Sequence, residues 1–455
     1  MALHLLAAVL VPWLAAPLAL LLGRRAGLGI SVMTAAAQFV LTVLASSEDS
    51  IQMGGVQLLV QPLDRLFIPL ILIGFVGACA LGERESRAVA PTALLVNGAA
   101  IGGTLVTNPF LASLFLQLAG VCVLFMLPAR TPAATTLVRE ALAGSKYLTL
   151  TAVSALGLLA AFALIETTRI AGETRTIAQV VLALLVIGIG LRIAAFPFQM
   201  WLPDFAFIAP PAAVVLACAV INLTAIVLVF STLADAPWLV LPERNRAIMA
   251  VGAVVTAAGG ALLALNASDL RRLIVYGSSA ELGFVLYGIS VGSGSSVTAA
   301  VAVLVANLLA VVMLWALVGQ LERRVGSVEI GSPLGLIAQL PGTALAFLAA
   351  SLTIGGVPLF AAFPGRWVLA RLAVDSNPWL ALGLSAVNLM LLFAFLRAFR
   401  AIFLGRPPAE VVARESLGAT VGLLLLALIS LLLGLLPWLI FQPITAAVLE
   451  LPFLQ

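Results

Sequence analysis

The chain has 455 residues, 63% of them hydrophobic and 9% charged, with a formal net charge of +4 and a mean hydropathy of +1.21. This balance excludes an ordinary soluble domain and marks an integral membrane protein, because apolar stretches near the ~20 residues needed to cross hydrocarbon recur from end to end. The runs are continuous, not alternating, so helices are predicted rather than a barrel, and the basic excess sits in short connections, where it reports topology and implies no nucleic-acid partner.

In chain order, the opening MALHLLAAVLVPWLAAPLALLLGRR has no basic leader and ends in Arg24-Arg25, which predicts a retained first helix rather than a cleaved signal. Fourteen spans are predicted, beginning near residues 2, 28, 65, 89, 109, 145, 178, 210, 247, 272, 297, 337, 377 and 417 of a single membrane domain over 1–455. Alternating the connections across the bilayer puts Arg24, Arg25, Arg84, Arg87, Arg130, Arg139, Arg271, Arg272, Arg323, Arg324, Arg400, Arg406 and Arg414 on one side. Only Arg169, Arg175, Arg244 and Arg246 fall on the other. The richer side is then cytoplasmic, which predicts a multi-pass protein of the inner membrane with both termini on the non-cytoplasmic side.

Two spans are interrupted. The seventh, VVLALLVIGIGLRIAAFPFQMWLPD, carries Pro197, which removes a backbone donor and is expected to leave carbonyls unpaired. The twelfth, FLAASLTIGGVPLFAAFPGRWVLARL, is broken by Gly355, Gly356, Pro358 and Pro364. Each break has an arginine beside it, Arg192 before the first and Arg366 after the second. Interruptions in corresponding places point to two inverted five-helix repeats, helices four to eight over 88–233 and nine to thirteen over 247–404, with ions handled at mid-membrane depth.

Other polar residues carry plainer readings. Asp64 and Arg65 are expected to cap and anchor the third span, and Asp204 to cap the segment after Pro203. Glu140 and Lys146, the only lysine, flank the predicted start of the sixth helix as interface charges. Ser279 either lines a water path or packs between helices, and Asn307 and Asn388 read as interhelical glue. Trp201 and Trp367 are read as packing or interface anchors. Cys79, Cys122 and Cys218 lie in apolar runs without CxxC spacing and His4 is the sole histidine, so neither a metal nor a cofactor is expected.

The stretch PFQMWLPDFAFIAPPAAV resembles the signature PFHxWxPDxxxxAPxPV of the antiporter-like proton-channel subunits of respiratory complex I and of the multisubunit sodium/proton antiporters. DLRRLIVYGSSAELGF at 269–284 resembles that family's DLKRLLAYSSIAHxGY, and SLTIGGVPLFAAFPGRW its SLAGIPPTxGFxGKF. EALAGSKYL at 140–148, LDRL at 63–66 and NPFLASLFLQL at 108–118 are also similar, in the same order. The KYL and LYG wording leans towards the subunit N type.

The resemblance implies a membrane subunit of a multisubunit complex, partnered by other membrane subunits and touching quinone only through them, in which electron transfer drives protons along a hydrated polar axis. In the family that axis uses a glutamate in helix five, lysines in helices seven and eight, and a lysine or glutamate in helix twelve. Motif by motif these fall here on Gln117, Arg192, Asn222 and Arg366, and the family's helix-ten histidine falls on Glu281. Tyr276 and Ser278 either line a water path or, for the serine equally well, pack between helices. Arginine stays charged in proteins, so Arg192 and Arg366 cannot carry protons as lysine can, and Gln117 and Asn222 do not titrate. Glu281 either neutralises Arg192 or relays protons. Two functions stay open: an ion-translocating antiporter-like subunit, or a degenerate copy that scaffolds its neighbours. A multispan enzyme is set aside, because no loop carries metal-binding acids.

Overall fold

A computed structural model of the chain describes residues 3–45, 49–53, 56–82, 88–127, 134–171, 175–239, 242–326, 328–331, 334–405 and 415–451. Arg84, Arg87, Arg130, Arg406 and Arg414 lie outside the described residues. Helices dominate. The first group is α1 (Leu3–Leu22), α2 (Arg24–Leu44), α3 (Pro62–Gly82), α4 (Val89–Leu105), α5 (Pro109–Leu124), α6 (Ala134–Ala171), α7 (Arg175–Arg192), α8 (Leu202–Ile208), α9 (Pro211–Val215) and α10 (Asn222–Asp235). The second is α11 (Glu243–Leu265), α12 (Leu270–Val291), α13 (Gly294–Val325), α14 (Pro341–Ile354), α15 (Ala362–Ser376), α16 (Pro378–Phe403), α17 (Leu417–Leu435) and α18 (Trp438–Val448). Among the described residues ten helices are long and apolar enough to cross a membrane, and five shorter apolar helices accompany them. The chain divides into two compact units, Met1–Asn245 with Glu450–Gln455, and Arg246–Leu449.

The all-helical expectation needs one addition. Ser50–Met53 and Val56–Leu59 pair antiparallel as β1 and β2, around a Gly54-Gly55 dipeptide of the kind that favours hairpins. Four-residue strands fall below the length at which alternation separates from noise, so hydropathy alone missed them. The sixth helix also starts earlier than expected, at Ala134, so Glu140 and Lys146 lie within it.

Helix starts follow from the local sequence. Asn108 caps α5 by accepting from the Phe110 N–H at 2.9 Å, with Pro109 at the first helical position. Asp269 caps α12 through the Arg272 N–H at 2.9 Å. Ser293 and Ser296 form a reciprocal capping box on α13. Arg271 grips Glu322 with two bonds of 2.5 and 2.6 Å, tying the start of α12 to the end of α13. The long α13 is buried along nearly its whole length and forms the core of the second unit, whereas α17 is mostly exposed.

Both interrupted helices close in the same way. After α7, Ala194 takes a left-handed φ of 55° and the Ala195 N–H reaches back to the Gly190 carbonyl at 2.8 Å. After α14, Gly356 takes φ 62°, the Val357 N–H donates to Leu352 O at 3.0 Å and the Gly356 N–H to Thr353 O at 3.0 Å. These are Schellman closures, which consume the carbonyls a helix end leaves over. Pro364, expected as a breaker, sits in the first turn of α15, where its missing N–H has no partner to lose; the second interruption runs from Gly355 to Ala361 and contains Pro358.

The two left-handed residues differ in kind. A left-handed alanine is strained by about 1 kcal/mol relative to glycine. Ala194→Gly is therefore expected to raise the thermal midpoint, and Gly356→Ala to lower it, since the new Cβ would also lie 2.7 Å from Arg366 Nη1. Calorimetry of the two variants in nanodiscs checks both signs.

Candidate functional site

In the first unit the site forms around Arg192, the last residue of α7, which is 4% exposed. Its guanidinium lies against α5: Nη2 donates to the Leu116 carbonyl at 3.2 Å and Nη1 to Thr151 Oγ1 of α6 at 3.5 Å. Gly120 makes room, since a Cβ there would sit 2.3 Å from Nη2. Arg192 Nε has no partner, and among the described residues no carboxylate lies within ion-pair distance of this arginine. Gln117, one turn before Gly120 on α5, is 9% exposed, and both its amide oxygen and its amide nitrogen are buried without partners.

The interruption itself does not serve the arginine. Pro197 was expected to leave carbonyls unpaired, yet three carbonyls ahead of it have donors: Ser154 Oγ donates to Gly188 O at 2.7 Å and Trp201 Nε1 to Leu191 O at 2.9 Å, alongside the Ala195 N–H to Gly190 O. Trp201 packs edge-on to Tyr147 at 4.9 Å between ring centroids, Tyr147 stacks on Phe205 at 4.8 Å, and the Tyr147 hydroxyl donates to Gly120 O at 3.1 Å. Asp204 is not a cap: its carboxylate pairs with Lys146 Nζ at 2.7 Å, which ties α8 to α6 on the other side of the break. Asn222 is buried at the end of a π-helical stretch, Leu216–Ile221, a local widening often found at functional positions.

In the second unit Arg366, in the second turn of α15, is 2% exposed and fully partnered in charge. Its Nη2 donates to Glu281 Oε1 of α12 in a buried ion pair, and its Nη1 donates to Asn388 Oδ1 of α16 at 2.5 Å. The guanidinium carbon stands 4.6 Å over the Phe284 ring. The acid expected to neutralise Arg192 is thus engaged by Arg366 instead. Glu281 Oε2 and Arg366 Nε have no partners. Ser278, one turn before Glu281 on α12, donates to Asn307 Oδ1 of α13 at 3.2 Å, while Tyr276 lies on the same helix. Gly356 brings the interrupted backbone directly onto Arg366, while Gly355 packs against Leu392 of α16.

The residues that sequence reasoning missed are the neutral ones that seat the arginines, Gly120, Thr151 and Phe284, and Ser154, which occupies the Gly188 carbonyl. Nothing in a single sequence marks them, because each looks like ordinary helix packing. Among the described residues no cluster of metal-ligating side chains occurs.

A multi-pass helical membrane protein in which two interrupted helices each present a buried arginine is the class that this fold and site define. The chain matches, over residues 107–391, the transmembrane family described as NADH:quinone oxidoreductase/Mrp antiporter, and it belongs to that family. It is 29% identical over 405 residues to NADH-quinone oxidoreductase subunit N of Cereibacter sphaeroides, covering 85% of each chain. It is 27% identical over 308 residues to the subunit of the same name from Desulforamulus reducens, a match that spans 64% of that relative. Among solved structures, a chain of the Mrp complex from Dietzia sp. superposes with a TM-score of 0.87 at 19% identity, covering 99% of this chain and 98% of that one. A chain of respiratory complex I from Thermus thermophilus gives 0.82 at 22%, covering 99% and 100%. At such identities these two likenesses speak for the fold.

Trp201 is the residue whose loss tests how the first break is held. Trp201→Phe keeps most of the ring packing but removes the Nε1 hydrogen bond to Leu191 O, so a loss of ~1 kcal/mol is expected, read as a lower denaturation midpoint with Arg192 still buried.

Proposed function

We propose that the chain is an antiporter-like membrane subunit of a complex I related or Mrp-like assembly, in which it contributes to moving protons or cations, with other membrane subunits as its partners and quinone reached only through them. The finer architecture belongs to the same reading: fourteen spans, inverted repeats over 88–233 and 247–404, an inner-membrane location and both termini on the non-cytoplasmic side. The arginine tally supports the sidedness.

One observation carries the ion-handling role. Glu281 is a protonatable side chain buried in the membrane-spanning core beside an interrupted helix, with one oxygen bound by Arg366 and the other free of protein partners. An intramembrane acid held in this way can accept a proton on its free oxygen while the arginine keeps the site charged. Arg366 and Arg192 act as fixed charges, and Asn222, Gln117, Ser278 and Tyr276 as polar lining.

A second reading is favoured by a different observation: the seat of Arg192 presents arginine, glutamine, threonine and backbone, none of which exchanges protons near neutral pH. On that reading the chain scaffolds its neighbours. The two separate in proteoliposomes holding the intact assembly. The translocation role predicts that Glu281→Gln assembles normally and loses most of the acidification driven by electron transfer or by a sodium gradient. Full acidification in the assembled variant would leave the scaffold.

A further inference from the structure

The two arginine seats are built alike but balanced differently. Each guanidinium rests on a glycine, Gly120 under Arg192 and Gly356 under Arg366, and each stands next to an interrupted helix. Arg366 has a carboxylate, an amide oxygen and an aromatic face. Among the described residues, Arg192 has a carbonyl and a hydroxyl and no carboxylate. Neutral acceptors solvate a guanidinium without cancelling its charge, and a buried charge in a low-dielectric setting without an opposite charge is costly. The carbonyls of the last turn of α7 do not reach the guanidinium: Gly188 O accepts from Ser154, Leu191 O from Trp201 and Gly190 O from the Ala195 N–H.

The neighbouring groups indicate what completes the seat. Arg192 Nε is a donor with no partner, and Gln117 Nε2 is a second, on the same side of α5 as the glycine that receives the guanidinium. Two orphaned donors near an uncompensated cation select a small anion. At 4% exposure, the guanidinium is accessible only to something that fits inside the chain. The orphaned Gln117 Oε1 requires a donor of its own, so the anion sits with at least one water.

We propose that the Arg192 seat binds a small monovalent inorganic anion of the halide class, chloride under ordinary conditions, held between the guanidinium and the Gln117 amide. The proposal is independent of whether the chain moves protons. Binding to the folded chain alone stabilises it in proportion to occupancy. In phosphatidylcholine nanodiscs at constant ionic strength, replacing sodium gluconate with sodium chloride or sodium bromide should therefore raise the thermal midpoint of the full-length protein saturably. Gln117→Glu supplies an internal counter-charge, and should abolish the halide response or weaken half-saturation at least tenfold; Arg192→Leu should do the same. If Arg192→Leu does not fold, Gln117→Glu decides alone. A wild-type midpoint indifferent to halide, or a response of undiminished size in Gln117→Glu, overturns the proposal.

Discussion

A guanidinium that cannot lose its proton must find compensation wherever it is buried, and this constraint organises the molecule around Arg192 and Arg366. In the second unit the compensation comes from two helices: Glu281, with the Phe284 ring, from α12 and Asn388 from α16. Glu281 itself is next to Ser278, which reaches Asn307 on α13. Two buried polar pairs thus sit one turn apart on α12, and the interruption at Gly355–Ala361 brings Gly356 against Arg366.

The interruptions do less than an unpaired-carbonyl picture requires and more than a simple kink. A left-handed residue with a return hydrogen bond ends each half-helix, so the backbone is satisfied locally. The gain is geometric: a side chain can be delivered against a neighbouring helix at a point where a continuous helix would present its own next turn. The two arginines differ in their partners. Arg366 is locked into a pair, and Arg192 remains a net positive charge with unspent donors beside it.

The two breaks and the buried polar residues beside them were legible in the sequence, because the punctuation that breaks helices is strong. Pro197, Gly355, Gly356 and Pro358 sit in the interruptions, and Arg192, Gln117, Asn222, Glu281 and Arg366 are all buried. What could not be read was pairing. Glu281 and Arg366 are 85 positions apart, and no periodicity decides which of two arginines an acid will meet. Asp204 looked like a cap because it falls where the chain restarts after the break, whereas its partner Lys146 lies 58 residues earlier. Lipid-facing and core-facing surfaces were equally opaque, since hydrocarbon and protein interior favour the same residues; hydropathy does not tell the mostly exposed α17 from the buried α13.

The pairing of Glu281 with Arg366 is tested most directly by a stability cycle on the intact chain in nanodiscs, comparing Glu281→Gln, Arg366→Gln and the double variant. Each single change strands a buried charge and should lower unfolding free energy by ~3–5 kcal/mol, while the double variant, left with no stranded charge, should recover a large part of that loss. Losses that simply add would contradict a shared ion pair and with it this account of the second interrupted helix.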